Sequence, residues 1–339
     1  MWVGNMAHDL ILTEDSPLAA ILSLLSDGNF HSGEEIGSLL GVSRAAVWKH
    51  LQKLEVLGIS VTSIKGRGYC VEGGLDLLQK NTIESLCPAI RAQQLSLNIF
   101  PVIDSTNTYL LNLTSIAKQI CLAEMQTAGR GRRGRSWVSP YAQNMYLSIG
   151  WGFDGGVAVL AGLSLAVGVA IVTALQKQGI SGLELKWPND VLFNGKKLAG
   201  ILVEMVGDPS GYCQVVVGVG VNVAMPPRAA DDIDQPWIDL REIAAKQNLS
   251  PASRNNLASA LITELADLLS HYSAQGFSAY QQRWEAFNAY ASERVVLLNG
   301  KQSSAGVMLG VTADGALRLQ TEQGEEIFHG GELSLRIAS

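Results

Sequence analysis

The sequence predicts a multidomain α+β chain in three parts. A small helical unit closed by a β-hairpin comes first, then a large central α/β unit, then a small all-β unit read as a β-barrel. Three observations predict it. Apolar residues recur at helical spacing up to about residue 57, strand-like and helix-like stretches alternate across 79–287, and short strands with Gly-containing turns fill 288–339. The boundaries fall at 1–78, 79–287 and 288–339. Length agrees, since 339 residues at roughly 150 per domain suggest two or three domains.

In the first unit, Pro17 opens a helix with Leu18, Ile21, Leu22 and Leu25 on one face, and Asp27-Gly28 ends it. Ser32 and Glu35 have the spacing of a capping box, so a short helix runs over 34–40 to Gly41. Ser43 caps a second helix over 44–57, with Val47, Leu51, Leu54 and Leu57 inward and Ala45, Lys49, Gln52 and Lys53 opposite. Two helices joined at a glycine turn suit a helix-turn-helix. Residues 59–62 alternate like a strand, Lys65-Gly66-Arg67-Gly68 turns, and 69–71 return, which makes a wing.

In the central unit, 97–103 reads as a strand, and Asp104-Ser105-Thr106-Asn107 caps a helix. Residues 145–151 and 214–223 read as buried strands and 257–271 as an amphipathic helix. Gly155 to Leu175 carries no charge over 21 residues, the length of a membrane span. Its many Gly and Ala residues instead predict a buried helix packed closely on a sheet. In the last unit, Asn299-Gly300 is a strong hairpin signal, and Asp314-Gly315 and Gln323-Gly324 punctuate further strands.

Composition narrows the function. With 47% hydrophobic and 17% charged residues the chain is not disordered as a whole. The net charge of −6 argues against indiscriminate nucleic-acid coating. Yet the five basic residues of the first 76, Arg44, Lys49, Lys53, Lys65 and Arg67, all lie in the second helix or the wing, as phosphate contact requires. The alternative is a helical interaction domain with a solvated charged face. Cys70, Cys87, Cys121 and Cys213 form no C-x-x-C pair, which suits reduced, buried thiols in a cytoplasmic protein. The amino terminus has no basic region of a secretory signal.

Gly129-Arg130-Gly131-Arg132-Arg133-Gly134-Arg135 fits G-x-G-x-x-G by letter. A dinucleotide site needs a helix after it and an acid about 20 residues on, and Ser136-Trp137-Val138-Ser139-Pro140 does not start one. Three glycines and four arginines predict a mobile loop that an anion orders, against an exposed basic or RNA-binding tract. Lys186-Trp187-Pro188-Asn189-Asp190 and the stretch 194–202 are joined by an Asn194-Gly195 turn, which brings Lys186 and Lys197 to one pocket. Exposed hairpin lysines are the plain alternative. The five histidines are scattered, and no Ser-His-Asp or metal-ligand cluster stands out.

Together these stretches resemble the bifunctional biotin protein ligases that also repress the biotin operon. The resemblance covers nearly the whole chain. It runs from His31-Ser32-Gly33-Glu34, Ser43-Arg44-Ala45-Ala46 and Lys49-His50, through 104–107, Gln126 with the Arg-Gly loop, 186–190 and 197–204, to the carboxyl-terminal run Gly330-Gly331-Glu332-Leu333-Ser334-Leu335-Arg336. It implies a winged helix-turn-helix, a ligase domain with a class II synthetase-like mixed sheet, and a small barrel. Residues 1–12 lie outside the family pattern, Met6 is a second start, and Trp48 is a departure in the second helix, placed either to contact DNA or to pack under the wing.

The resemblance implies that ATP, with Mg²⁺, and biotin give biotinyl-5′-AMP, whose acyl group passes to a lysine of the biotin carboxyl carrier protein of acetyl-CoA carboxylase. Arg130, Arg132, Lys186 and Lys197 carry the catalysis. Ser105, Thr106, Asn107, Gln126, Arg130, Gly131, Arg132, Lys197, Gly200 and Leu202 bind biotin, and Arg132, Lys197, Asn222 and Trp237 bind the adenylate. Gly33, Ser43, Arg44, Ala45, Lys49, Gln52, Lys53, Lys65 and Arg67 bind operator DNA. The adenylate orders the loop and promotes a homodimer; no membrane is involved. The alternatives are a biotin-sensing regulator without catalysis and a ligase for another acyl acid such as lipoate.

Overall fold

The structure, a computed structural model, describes residues 16–208, 210–299, 302–330 and 333–337. Residues 1–12, Gly300, Gly331 and Glu332, named above, lie outside them.

Helix α1 (Pro17–Leu25) starts where Ser16 Oγ accepts from Ala19 N, and buries Leu18, Ile21, Leu22 and Leu25. Helix α2 (Gly33–Leu40) is capped by Ser32 and stops at Gly41, whose φ of 65° favours glycine. Only half of the expected capping box forms: Ser32 Oγ accepts from Glu35 N, while the Glu35 carboxylate turns to His31 Nδ1 at 2.8 Å. Helix α3 (Arg44–Val56), capped by Ser43, buries Val47, Leu51 and Leu54. The wing strands, β1 (Thr62–Ile64) and β2 (Gly68–Cys70), pair antiparallel. The first begins later than the alternation at 59–62 suggests. Ile59 N bonds back to Leu54 O and its side chain is buried, so the helix end consumes those residues.

The central unit follows with α4 (Lys80–Leu86), α5 (Pro88–Ala92), β3 (Ser96–Phe100), α6 (Thr106–Leu111), β4 (Gln119–Ala123), β5 (Met145–Phe153), α7 (Leu163–Lys177), β6 (Leu183–Lys186), β7 (Asp190–Phe193), β8 (Lys196–Gly207), β9 (Cys213–Val221), α8 (Pro227–Ala230), α9 (Leu240–Lys246), α10 (Arg254–Gln275) and α11 (Ser278–Ala286). The seven strands form one mixed sheet, ordered β3-β4-β5-β9-β8-β7-β6. Only β3 and β4 run parallel. The uncharged stretch is α7, buried almost continuously from Leu163 to Leu175 and packed between the sheet and α10. It is a core helix, as its small residues predict. Helix α6 covers the opposite face, where Leu110, Ile116, Cys121 and Val216 make a smaller core.

The carboxyl-terminal strands are β10 (Arg294–Asn299), β11 (Gln302–Val311), β12 (Leu317–Thr321), β13 (Gly324–Phe328) and β14 (Leu333–Ile337). They are all antiparallel, as the turn signals predict, in the order β13-β12-β11-β10-β14. Among the described residues the expected barrel is an open sheet, because β13 and β14 remain its edges. The four cysteines are buried thiols.

Candidate active site and nucleic-acid interface

Strand alternation sets the site. On β5, β8 and β9, Leu147, Ile149, Ala199, Ile201, Val203, Val215, Val217 and Val219 belong to the main core. The alternate residues, Ser148, Gly200, Leu202, Glu204, Gly218 and Gly220, face the other side. There Gly200, Leu202, Gly218 and Gly220 floor a cavity of about 740 Å³, a size that suits small-molecule ligands.

One end of the cavity is neutral and polar. Ser105 caps α6 and accepts from Thr108 N. Thr106 donates to Gln126 Oε1 from its backbone N (2.9 Å) and its hydroxyl (3.1 Å). Gln126 Nε2 donates to Ser139 Oγ at 3.2 Å. Ser148 Oγ lies 2.7 Å from Thr106 Oγ1 and 2.5 Å from Asn107 Oδ1. Asn107 Nδ2 donates to Glu204 Oε2 at 2.8 Å, and Arg130 Nη2 reaches the same oxygen at 3.0 Å. Ser105, Thr106 and Asn107 are all buried. Gly218 is required here, because a Cβ would overlap Asn107 Oδ1.

The other end is cationic. Lys197 Nζ pairs with Asp190 Oδ1 at 2.8 Å. Arg132 Nη1 donates to Asn189 Oδ1 at 3.2 Å, and Asn189 is held in turn by Ile201 O at 2.8 Å. Lys186 faces the Tyr290 ring at 5.8 Å. Burial pushes its pKa down, Asp190 opposes that, and Lys197, Arg336 and Arg135 add to it. The sequence-derived site residues therefore converge: every one assigned to catalysis, biotin or the adenylate lines this cavity.

One has a structural role besides. Asn222 Nδ2 is spent on the carbonyls of Lys197 (3.3 Å) and Ile238 (3.1 Å), so it holds the Trp237 segment alongside β8. That segment also bonds Lys197 N to Pro236 O and Ile238 N to Lys197 O. The Arg-Gly loop is closed on itself, with Trp137 N donating to Gly129 O and Gly131 N to Arg135 O. Residues 132–134 form a single helical turn, with Arg133 at φ 60°, which does not make a dinucleotide-type helix start.

Sequence reasoning missed Ser148, Glu204, Trp137 and Arg336. A lone serine inside an apolar strand was the signal for Ser148. Trp137 rests on the floor, where a Cβ at Gly200 or Gly220 would meet its indole. Arg336 of β14 brings the carboxyl-terminal sheet to the cavity wall. Among the described residues no group of three or more His, Cys, Asp or Glu could hold a metal, and Asp190 is engaged by Lys197.

On the winged unit, Ser43, Arg44, Ala45, Lys49, Gln52, Lys53, Lys65 and Arg67 are exposed. Arg67 stacks on Phe30 at 4.1 Å. Gly33 differs from these exposed positions. It is buried, and a Cβ there would touch Arg44 Cγ at 3.4 Å and the Tyr69 ring at 3.5 Å, so it is a packing position beneath the basic surface.

Comparison with known proteins agrees with this layout. Residues 18–70 match an HTH domain, 99–222 the Biotin/lipoate A/B protein ligase family, and 293–336 the Biotin protein ligase C terminal domain. The bifunctional ligase/repressor BirA of Salmonella typhimurium is 40% identical over 320 residues, spanning 94% of this chain and 97% of the relative. The chain belongs to the bifunctional ligase/repressor family. The Paracoccus denitrificans biotin–[acetyl-CoA-carboxylase] ligase is 34% identical over 68% of this chain and 96% of its own length. Among solved structures, the Aquifex aeolicus biotin protein ligase in complex with biotin and ATP superposes with TM-score 0.61 at 27% identity. It covers 72% of this chain and 99% of its own. The family's three parts, winged unit, ligase unit and carboxyl-terminal β unit, are all present.

Proposed function

We propose that the chain activates biotin with ATP and passes the biotinyl group to a carrier lysine, and that it represses transcription through its winged unit. One observation carries the enzyme reading: a single cavity has neutral amide and hydroxyl groups at one end and clustered cations at the other. A urea needs donors and acceptors, which Thr106, Asn107 and Gln126 offer. Two anions must meet at the cationic end.

In the first step a biotin carboxylate oxygen bonds to the α-phosphorus and the bond to pyrophosphate breaks. Arg130, Arg132, Lys186 and Lys197 screen the approaching negative charges and stabilise those that develop. Asp190 holds Lys197, and Asn189 holds Arg132, so both are preorganised. Trp237 offers its ring to the adenine. Magnesium enters with the nucleotide phosphates. In the second step a neutral lysine amine of the carrier attacks the acyl carbon. The C–N bond forms, AMP leaves with the electron pair of the C–O bond, and the amine proton passes to solvent. The mixed anhydride is already activated, so no enzyme nucleophile is needed. The acceptor is the biotin carboxyl carrier protein of acetyl-CoA carboxylase, consistent with the ligase relatives.

In the repressor arm, the adenylate orders the 129–137 loop and favours a homodimer that presents two winged units to operator DNA, in the cytoplasm. The test is incubation with ATP, biotin and a carrier fragment, followed by mass measurement. One biotinyl group per carrier is expected. An unmodified carrier, with no ATP–pyrophosphate exchange, leaves a regulator without catalysis. Biotin–lipoate competition separates the acyl acids, with biotin favoured by the urea-suited pocket.

A further inference from the structure

Ala45, Trp48, Lys49 and Gln52 follow the i, i+3, i+4, i+7 spacing of one helical stripe on α3. All four are exposed. Trp48 stands out because half of its surface, 50%, is open to solvent on a helix whose own apolar stripe, Val47, Leu51 and Leu54, is fully engaged in the core. It lies in the amino-terminal half of the second helix of a helix-turn-helix, the part that meets base edges in the major groove. The surrounding cations, Arg44, Lys49 and Lys53 on the helix and Lys65 and Arg67 on the wing, favour DNA as the occupant of this surface.

An indole buried in that groove needs an apolar partner. The major groove offers one such group, the C5-methyl of thymine. We infer that Trp48 is a base-reading residue that packs on a thymine methyl group of the operator, with Ala45 beside it on the same stripe. The cations then position the helix on the phosphates, while Trp48 contributes sequence preference. The inference rests on the repressor reading proposed above.

The test uses the full chain with biotin and ATP. Duplexes are first selected from a randomised pool, and each thymine of the selected site is then replaced by deoxyuridine, which removes only the methyl. One or two positions should cost wild-type binding roughly fourfold each, the value of a buried methyl-sized group. Trp48→Asn should bind the thymine site more weakly and be indifferent to the replacement, and Trp48→Phe should regain part of the dependence. Wild-type binding that ignores every replacement overturns the inference, as does Trp48→Asn with unchanged affinity. Sedimentation without DNA is the companion measurement: a Trp48→Asn variant that changes self-association but keeps the thymine dependence assigns the indole to a protein contact and also overturns it. If wild type selects no sequence at all, it is the repressor reading that fails.

Discussion

Glu204 ties the polar pocket to the Arg-Gly loop through one oxygen. Its Oε2 accepts from Asn107 Nδ2, deep in the polar pocket, and from Arg130 Nη2, on the Arg-Gly loop. The two bonds differ in weight. Arg130 is 43% exposed as a side chain, so the ion pair is worth about 0–1 kcal/mol. The Asn107 amide is buried; without Glu204 it keeps only its longer bond to Leu202 O at 3.4 Å, and a buried donor left poorly satisfied costs about 1–3 kcal/mol. Glu204→Gln keeps an acceptor for Asn107 and removes the charge facing Arg130. It should release the adenylate up to about fivefold faster with little change in biotin KM. Glu204→Ala should also raise biotin KM, by roughly 5–100-fold. Stopped-flow adenylate release and steady-state biotin titration read the two effects, and equal behaviour of both variants with wild type would remove Glu204 from the site. That the sequence named Asn107 and Arg130 but not Glu204 has a physical cause. Motif residues announce themselves by chemistry, whereas a carboxylate on a long strand acquires its role only from what folds against it.

Among the elements, the joint between α1, α2 and the wing depends on one imidazole. His31 Nδ1 lies 2.8 Å from Glu35 Oε1 and its Nε2 lies 3.1 Å from Asp27, while its backbone exchanges two hydrogen bonds with Tyr69 of the wing. Burial lowers the His31 pKa, but hydrogen bonds and charge from Glu35 and Asp27 outweigh it and the net shift is upward. A raised histidine pKa means that its stabilisation is complete below the unfolded value near 6.5 and is lost as pH rises through the folded value. Asp27 shifts the other way, to about 2, chiefly through its hydrogen bonds with Asn29 and then His31. Its contribution is present above the unfolded value near 3.8 and fades as pH falls toward 2. The winged unit should therefore be most stable between about pH 4 and 6.5. Its Tm should fall from pH 6 to 8 in wild type and not in His31→Gln; parallel curves would refute the clasp. The helices and caps here were legible because each is local in sequence. The start of β1 was not, because Ile59 packs under α3 in response to a helix end rather than to strand alternation.

For the whole molecule, the placement of the winged unit on the ligase unit was the least legible feature. The residues that fix it are far apart in sequence and share no motif. Arg254, at the start of α10, pairs with Glu124 at 2.6 Å with both side chains buried. It donates to Asp76 O at 2.7 Å and to Asn144 O, and its backbone N bonds the Asp76 carboxylate. The second Glu124 oxygen accepts from Leu78 N at 2.6 Å. The link between the two units is thus held by a buried ion pair. The winged core also runs on into Met125, Tyr141 and Ala142, with Met125 lying between Glu124 and the ligand-facing Gln126. Arg254→Met leaves Glu124 buried and unpaired, which costs about 3–5 kcal/mol. The expected result is faster proteolysis at residues 76–79 and a weaker effect of adenylate on DNA binding, with pyrophosphate exchange retained. Adding Glu124→Gln removes the stranded charge and should recover stability but not the coupling between ligand and DNA, because the guanidinium bond to Asp76 O stays broken. A single variant that keeps both linker protection and adenylate-dependent DNA binding would show that the Arg254 side chain does not hold the winged unit in place.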